Sequence, residues 1–405
     1  MQVTELARQH IALWWEEGAG ADWGPTYASA EQAGRESELA HFQDVVAEEA
    51  KARPRTAEER AETEQRILGA LQRTAQAMGL AEQIGALVRS GMVETAKAFV
   101  RQAREYDPTL PGNDIFQAGR NLWTMNGLQI LLGIPVRLTP ALFAYSLLYP
   151  YTDNALDDPT ISPQAKAAFN DRFGRRLAGE PAEPANEAEQ RIFDLVGLIE
   201  GYLPRPTHPP VYASLLAIHH AQERSVRLLR GAAPPYEVDV LGISLEKGGA
   251  SVLADGVLVT EGALAPAQAA FAFGLGTFLQ LADDLQDVAA DRQAGLLTVF
   301  SHAAGRWPLD TLADRTWRYA QRVLHGLEHL HTPDARPLQE LMPLAFRQLL
   351  LNAVAAASRS FTAEYVQSLE RHSLFRFAFL DQRRKKLRKQ GGALAQLIEA
   401  FAVRG

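Results

Sequence analysis

Two acidic clusters, Asp153-Asn154-Ala155-Leu156-Asp157-Asp158 and Asp283-Asp284-Leu285-Gln286-Asp287, stand about 130 residues apart in a 405-residue chain otherwise made of apolar helical stretches. Each crowds several carboxylates onto one helical turn at the end of a hydrophobic segment. On a helix, Asp153 and Asp157 share a face at i, i+4, and Asn154 and Asp158 form a second such pair beside them. Asp283, Asp287 and Asp291 continue that spacing to i+8, with Asp284 flanking Asp287 at i+3. Carboxylates at i, i+4 repel by roughly a few tenths of a kcal/mol per pair, so the repeated crowding needs a counter-charge. Leu279, Leu281, Ala282 and Leu285 imply that the helix carrying the second cluster is largely buried, and buried charges must be paired or must bind metal. Oxygen-only donors with no Cys or His beside them suit Mg²⁺.

Several function classes are excluded. A formal charge of −7 disfavours a nucleic-acid partner, which wants a basic surface. The absence of cysteine removes disulfides, zinc-thiolate sites and thiol nucleophiles. Met1 to Gly20 has neither the basic nor the apolar region of a secretory signal. No stretch reaches the roughly 18 uninterrupted apolar residues of a membrane span; the richest, Ala263 to Ala282, is interrupted by Pro266 and Gln268. The expected location is the cytoplasm.

Few period-2 alternations occur, and the fold expected is all-α, a bundle of ten or more helices. Residues 1–105 read as an N-terminal helical extension that either completes the bundle or presents a homodimer surface; 106–405 read as the main helical domain. The charged stretch Glu48 to Gln65 mixes signs and reads as a solvated helix face. After the Pro- and Gly-rich break at 106–114, Asp114 is a candidate N-cap for a helix ended by Gly133 and Pro135. Thr139-Pro140 starts the next, and Pro150 would bend it just ahead of the first cluster. Loops are expected at Ala178–Ala188 and Leu203–Pro210, and helices at Val211–Arg230, Leu241–Val259 (its glycines permitting close approach) and Pro266–Ala290. Leu309 to Val403 reads as helical again. The basic run Arg383-Arg384-Lys385-Lys386-Leu387-Arg388-Lys389 reads as a helix C-terminus complementing the dipole, the alternative being a lid over a diphosphate. His219-His220 with Glu223 lacks a second His pair for a metal site and reads as core or surface histidines.

The span Gly276-Thr277-Phe278-Leu279-Gln280-Leu281-Ala282-Asp283-Asp284-Leu285-Gln286-Asp287 resembles the second aspartate-rich motif of trans-polyprenyl diphosphate synthases, G-x-x-F-Q-x-x-D-D-x-x-D, with Leu279 in place of the Phe. Lys247-Gly248-Gly249-Ala250 is similar to that family's Lys-Thr-Ala segment, and Asp153-Asn154-x-x-Asp157 resembles the first aspartate-rich motif with Asn second. Gly295-Leu296-Leu297-Thr298 sits where the family has Gly-Lys-x-Thr. The resemblance covers roughly residues 114–300 and places the chain near the class I isoprenoid synthase superfamily. No Gly-Gly-Lys-Arg-x-Arg segment precedes the first cluster, where Arg120 stands alone. The paired arginines come late, at Arg175-Arg176. The metal spacing of Asp283, Asp287 and Asp291 also fits terpene cyclases.

The resemblance implies helices around a central apolar cavity and a prenyl diphosphate substrate ionised with Mg²⁺. It implies Asp153, Asn154, Asp157 and Asp158 as metal ligands on one wall and Asp283, Asp284, Asp287 and Asp291 on the other. Lys247 would meet the diphosphate, joined by Arg120 and Gln280, with Tyr149 and Phe278 against the hydrocarbon. Trp123, Phe143 and Tyr145 are further aromatic candidates beside a carbocation, each also compatible with plain packing. The leading expectation is ionisation followed by prenyl transfer. The alternatives are a terpene synthase acting on one diphosphate, and a non-catalytic prenyl-diphosphate-binding or partner subunit.

Overall fold

Proline and glycine cut a helix-favouring sequence at the points where the chain must turn. The computed structural model describes residues 3–16, 20–52, 56–157, 161–226, 228, 239–330 and 332–389, with the side chains of Ala57, Tyr149, 153–157 and 387–389 outside that description. Among the described residues there are eighteen α-helices and no strand. They are α1 Val3–Trp15, α2 Ser29–Ala52, α3 Ala57–Ala77, α4 Ala81–Arg89, α5 Met92–Tyr106, α6 Gly112–Leu131, α7 Pro140–Asp157, α8 Pro163–Ala178 and α9 Glu187–Tyr202. There follow α10 Pro209–Ser225, α11 Val240–Val259, α12 Pro266–Gln286, α13 Val288–Ala294, α14 Val299–Ala303, α15 Asp310–His325, α16 Arg336–Ala356, α17 Ala363–Glu370 and α18 Phe377–Lys389. No described helix is long and apolar enough to cross a membrane.

Local chemistry sets most of these ends. Thr139 Oγ1 accepts from the Leu142 amide at 3.2 Å and Pro140 opens α7, where its missing N–H costs nothing. Gly133, at φ 69°, follows the α6 C-terminus. Asp239 caps α11 by accepting from Gly242 N at 2.8 Å. Two expectations change. The cap of α6 is Pro111 and not Asp114, because the helix begins at Gly112; Asp114 lies in its first turn, where a carboxylate still suits the dipole. The helix expected over Pro266–Ala290 breaks at Asp287 (φ −98°, ψ 12°) into α12 and α13. The amides of Asp287 and Asp291 nonetheless bond back to the carbonyls of Asp283 and Asp287, both at 2.9 Å, so the acidic row stays on one side of the break.

The main hydrophobic core runs from Leu6 in α1 to Phe377 in α18, and Leu39, Leu374 and Phe375 form a smaller one. Helix α1 packs on α11 and α15, with Leu6, Ala7 and Trp14 in that core and His10 Nδ1 2.8 Å from the Tyr319 hydroxyl. Helix α2 is tied to the α17–α18 turn by Gln32, which donates to Glu370 O and Ser373 O, and by the Glu36–Arg376 ion pair. At the centre, α11 and α12 cross through glycine. A Cβ on Gly248 would lie 2.5 Å from the Gly276 carbonyl oxygen, one on Gly276 would overlap the Gly248 carbonyl, and Gly249 faces the Phe273 ring as closely. Backbones this close exclude any side chain from the crossing.

A second anchor holds the C-terminal half of α7. The buried Asp107 carboxylate accepts from the Thr109 amide at 2.9 Å, the Thr109 hydroxyl at 2.6 Å and the Tyr151 hydroxyl at 2.6 Å, and pairs with Arg191 of α9. Burial alone would raise this carboxyl, but the hydrogen bonds from Thr109 and Tyr151, with the Arg191 charge, outweigh it and hold it down at about 2. Tyr151 lies two residues before Asp153, so this contact orients the turn that carries the first cluster.

Two stability measurements follow. Gly276→Ala should destabilise the protein by about 1–3 kcal/mol in urea melts, as overpacking does. Gly69→Ala in α3, where an added Cβ meets nothing within 4 Å, should be neutral or stabilising by up to ~1 kcal/mol. Equal effects at the two glycines would contradict the crossing. Asp107→Asn should cost about 1–3 kcal/mol at neutral pH. Because the folded carboxyl lies below its ordinary value of 3.8, the wild-type advantage is full above that value and disappears as pH falls to about 2. A gap between wild type and variant that persists at that pH would show the contact to be worth nothing as a charge.

Candidate functional site

The glycine crossing sets the register of α11 against α12. With Gly248 opposite Gly276, Thr277 Oγ1 donates to the Leu245 carbonyl at 3.1 Å and the Ser244 hydroxyl meets Asp284. Asp284, only 6% exposed, also accepts from Gln280 Nε2 at 2.7 Å. Burial pushes its carboxyl up to about 6, with Asp283 adding to the shift and Gln280, Ser244 and Lys247 only partly offsetting it. Asp283 reaches solvent from a protein-lined recess. Desolvation there, then the Asp287 charge, raise it, and Lys247 and Arg120 oppose. Asp291 is pushed up to about 7 by desolvation and by Asp284, Asp287 and Asp283 together.

Four carboxylates from α12, its C-cap and α13 thus converge with two cations, Lys247 of α11 and Arg120 of α6. The cations do not balance the charge, and the remaining donors are hard oxygens of the kind Mg²⁺ takes. By donor chemistry alone the set would suit a divalent ion. Among the described residues no three carboxylate or imidazole groups stand in ready-made metal-binding geometry. Asp153, Asn154 and Asp157 belong to the last turn of α7, but their side chains lie outside the described residues, as does all of Asp158.

Helices α6, α7, α8, α10 and α11 line a cleft of about 50 Å³. Its wall includes Asn121, beside Arg120; Thr152, beside Asp153; and Ser251, one turn along α11 from Lys247. Small-molecule pockets are usually ~300–1,000 Å³, so a hydrocarbon tail would enter this space only as lining side chains move. Tyr145 lines the cleft and donates to the Ser251 carbonyl at 3.4 Å.

Other expected residues stand elsewhere. Phe278 is fully buried and stacks on Phe346 of α16, ring centroids 4.3 Å apart. It lies roughly 200° around α12 from Gln280, on the side of the helix that packs in the core against α16. Phe143 packs edge-on with Tyr106 in the core, and Trp123 is 46% exposed against Phe116. The Tyr149 side chain is outside the described residues. Arg176 pairs with Glu200 at 2.6 Å, and Arg175 with Glu180 at 3.6 Å. In the basic run of α18, Arg384 and Lys385 pair with Asp381, and Lys386 with Asp44 of α2. Those cations serve their own helix and α2.

The structure adds residues that the motifs did not single out. Ser244 is the second hydrogen-bond partner of Asp284. His219, Gln222 and Asn121 line the cleft. The signal for His219 was its place on the apolar face of α10 with Leu215, Ile218 and Gln222, at spacings of three and four. Asp255, also on α11, is completely enclosed with the Asn121 amide near its oxygens and no well-formed hydrogen bond; burial raises it well above the usual carboxylate range. No protein-family model matches the chain, and no curated protein matches it significantly.

Proposed function

We propose that the chain ionises an allylic prenyl diphosphate in a Mg²⁺-dependent reaction. The observation that carries this reading is the convergence of Asp283, Asp284, Asp287 and Asp291 with Lys247 and Arg120. Asp283, Asp287 and Asp291 would hold metal from one side, and Asp153, Asn154, Asp157 and Asp158 from the end of α7. When bound, Mg²⁺ supplies Lewis-acid stabilisation of the leaving diphosphate. Lys247 contributes a point charge to diphosphate oxygens and Arg120 a planar donor pair. Asp284, buried and bonded to Ser244 and Gln280, holds the turn that presents Asp283 and Asp287. Once opened by movement of its lining side chains, the cleft would keep water from the allylic carbon as it loses its leaving group.

The fate of the cation separates two readings. Prenyl transfer to isopentenyl diphosphate follows from the motif resemblance. Conversion of a single diphosphate, as in terpene cyclases, is favoured by a specific observation: Arg175 and Arg176, the arginine pair after the first cluster, are paired with Glu180 and Glu200.

Incubation with geranyl, farnesyl or geranylgeranyl diphosphate and Mg²⁺ should release diphosphate, and chelation should abolish the release. Asp283→Ala should lower it by on the order of a hundredfold or more while the far-ultraviolet spectrum is kept. Equal product with and without isopentenyl diphosphate would end the transfer reading. No release from any of the three would leave only a non-catalytic prenyl-diphosphate binder.

A further inference from the structure

One imidazole, that of His219, lines the cleft. Arg224 of α10 pairs with Glu246 of α11 at one end, and Pro210 packs on Gly262 at the other, 3.7 Å from the Cβ position. The two helices are therefore antiparallel, and this register sets His219 level with Ser251. Ser251 is one turn, about 6 Å, along α11 from Lys247. His219 is 4% exposed, lines the cleft, and stands edge-on to Phe173 with ring centroids 5.4 Å apart. Space for the imidazole exists because residue 174 is glycine: a Cβ there would lie 2.7 Å from Nε2. Among the described residues no protein group hydrogen-bonds either ring nitrogen. Neither ring nitrogen is among the fully enclosed unpartnered atoms, so a group in the cleft can reach the ring.

The other polar groups of the cleft are poor acceptors or already engaged. Thr152 donates to Leu148 O at 2.8 Å, Tyr145 is bonded to Ser251 O, and Asn121 and Gln222 carry amides. Burial lowers the imidazole below its ordinary value, with Glu223 opposing and His220 reinforcing, so the free base is the resting form at neutral pH.

We propose that His219 accepts the proton that ends the carbocation in this cleft. The inference rests on the ionisation reading above and adds the fate of the cation. The allylic C–O bond breaks and its electron pair leaves on the diphosphate. The cation, as first formed or after carbon–carbon bond formation, then loses a proton from the carbon next to its charged centre. That C–H electron pair becomes the new double bond, the proton passes to the imidazole, and the imidazolium returns it to water or diphosphate as products leave.

The test compares wild type, His219→Gln and Gly174→Ala on geranyl, farnesyl and geranylgeranyl diphosphate, with diphosphate release and organic products both quantified by mass. The wild type should give alkene. In His219→Gln the alkene formed per diphosphate released should fall on the order of a hundredfold, the contribution of a positioned base, and water-captured alcohol or a different double-bond isomer should replace it. Gly174→Ala keeps the histidine but displaces its ring, so the same shift should appear in smaller degree; alanine also favours the helix, so this variant decides the matter if His219→Gln does not fold. Unchanged alkene yield and isomer pattern in both variants, or alcohol as the wild-type product, overturns the role of His219 and leaves ionisation standing. No diphosphate release by the wild type overturns both.

Discussion

The close contact of α11 and α12 at Gly248 and Gly276 is the constraint on which the site depends. Two helices usually pack with axes 8–10 Å apart because side chains separate them. Here each glycine lies against the other's carbonyl, so the spacing is set by backbone alone and neither helix can slide by a turn. That fixed register puts Ser244 on Asp284 and Lys247 among the acidic residues that follow. Side chains at these glycines would push the two walls apart before affecting any charged group.

The electrostatics follow from that geometry. Carboxylates that would repel weakly on an exposed helix are held in a partly desolvated recess, where the same repulsion is stronger. Burial is the largest cause of the raised values of Asp283, Asp284 and Asp291, and like charge adds to it, with Lys247 on the opposing side for each. Asp107 is the contrast. It is also buried, but it receives donors from Thr109, Tyr151 and Arg191 and is held low. One carboxylate has its partners within the fold and steadies α7; the others are left short of positive charge.

The acidic row at 283, 287 and 291 was legible in the sequence because helical spacing is local and needs no tertiary knowledge. The glycines of α11 were legible in the same way, as a helix able to approach another closely. The stacking of Phe278 on Phe346 of α16 was not legible, because a motif names residues without saying which side of the helix faces which neighbour. His219 reads as an ordinary packed histidine until α8 supplies Phe173 and Gly174 and α10 is set antiparallel to α11. Nothing in the local sequence announces Ser244 as the partner of an aspartate 40 residues later.

What the sequence by itself determined is the helical class, the positions of most helix ends and the oxygen-donor character of the acidic turns. These depend on periodicity, capping and charge within a few residues. Only the tertiary structure decided which carboxylates share a recess, which arginines are already engaged in ion pairs, and which polar residue lines the cleft. Those outcomes depend on the register of helices far apart in the chain, and that register is set at the core by two glycines whose lack of a side chain is their contribution.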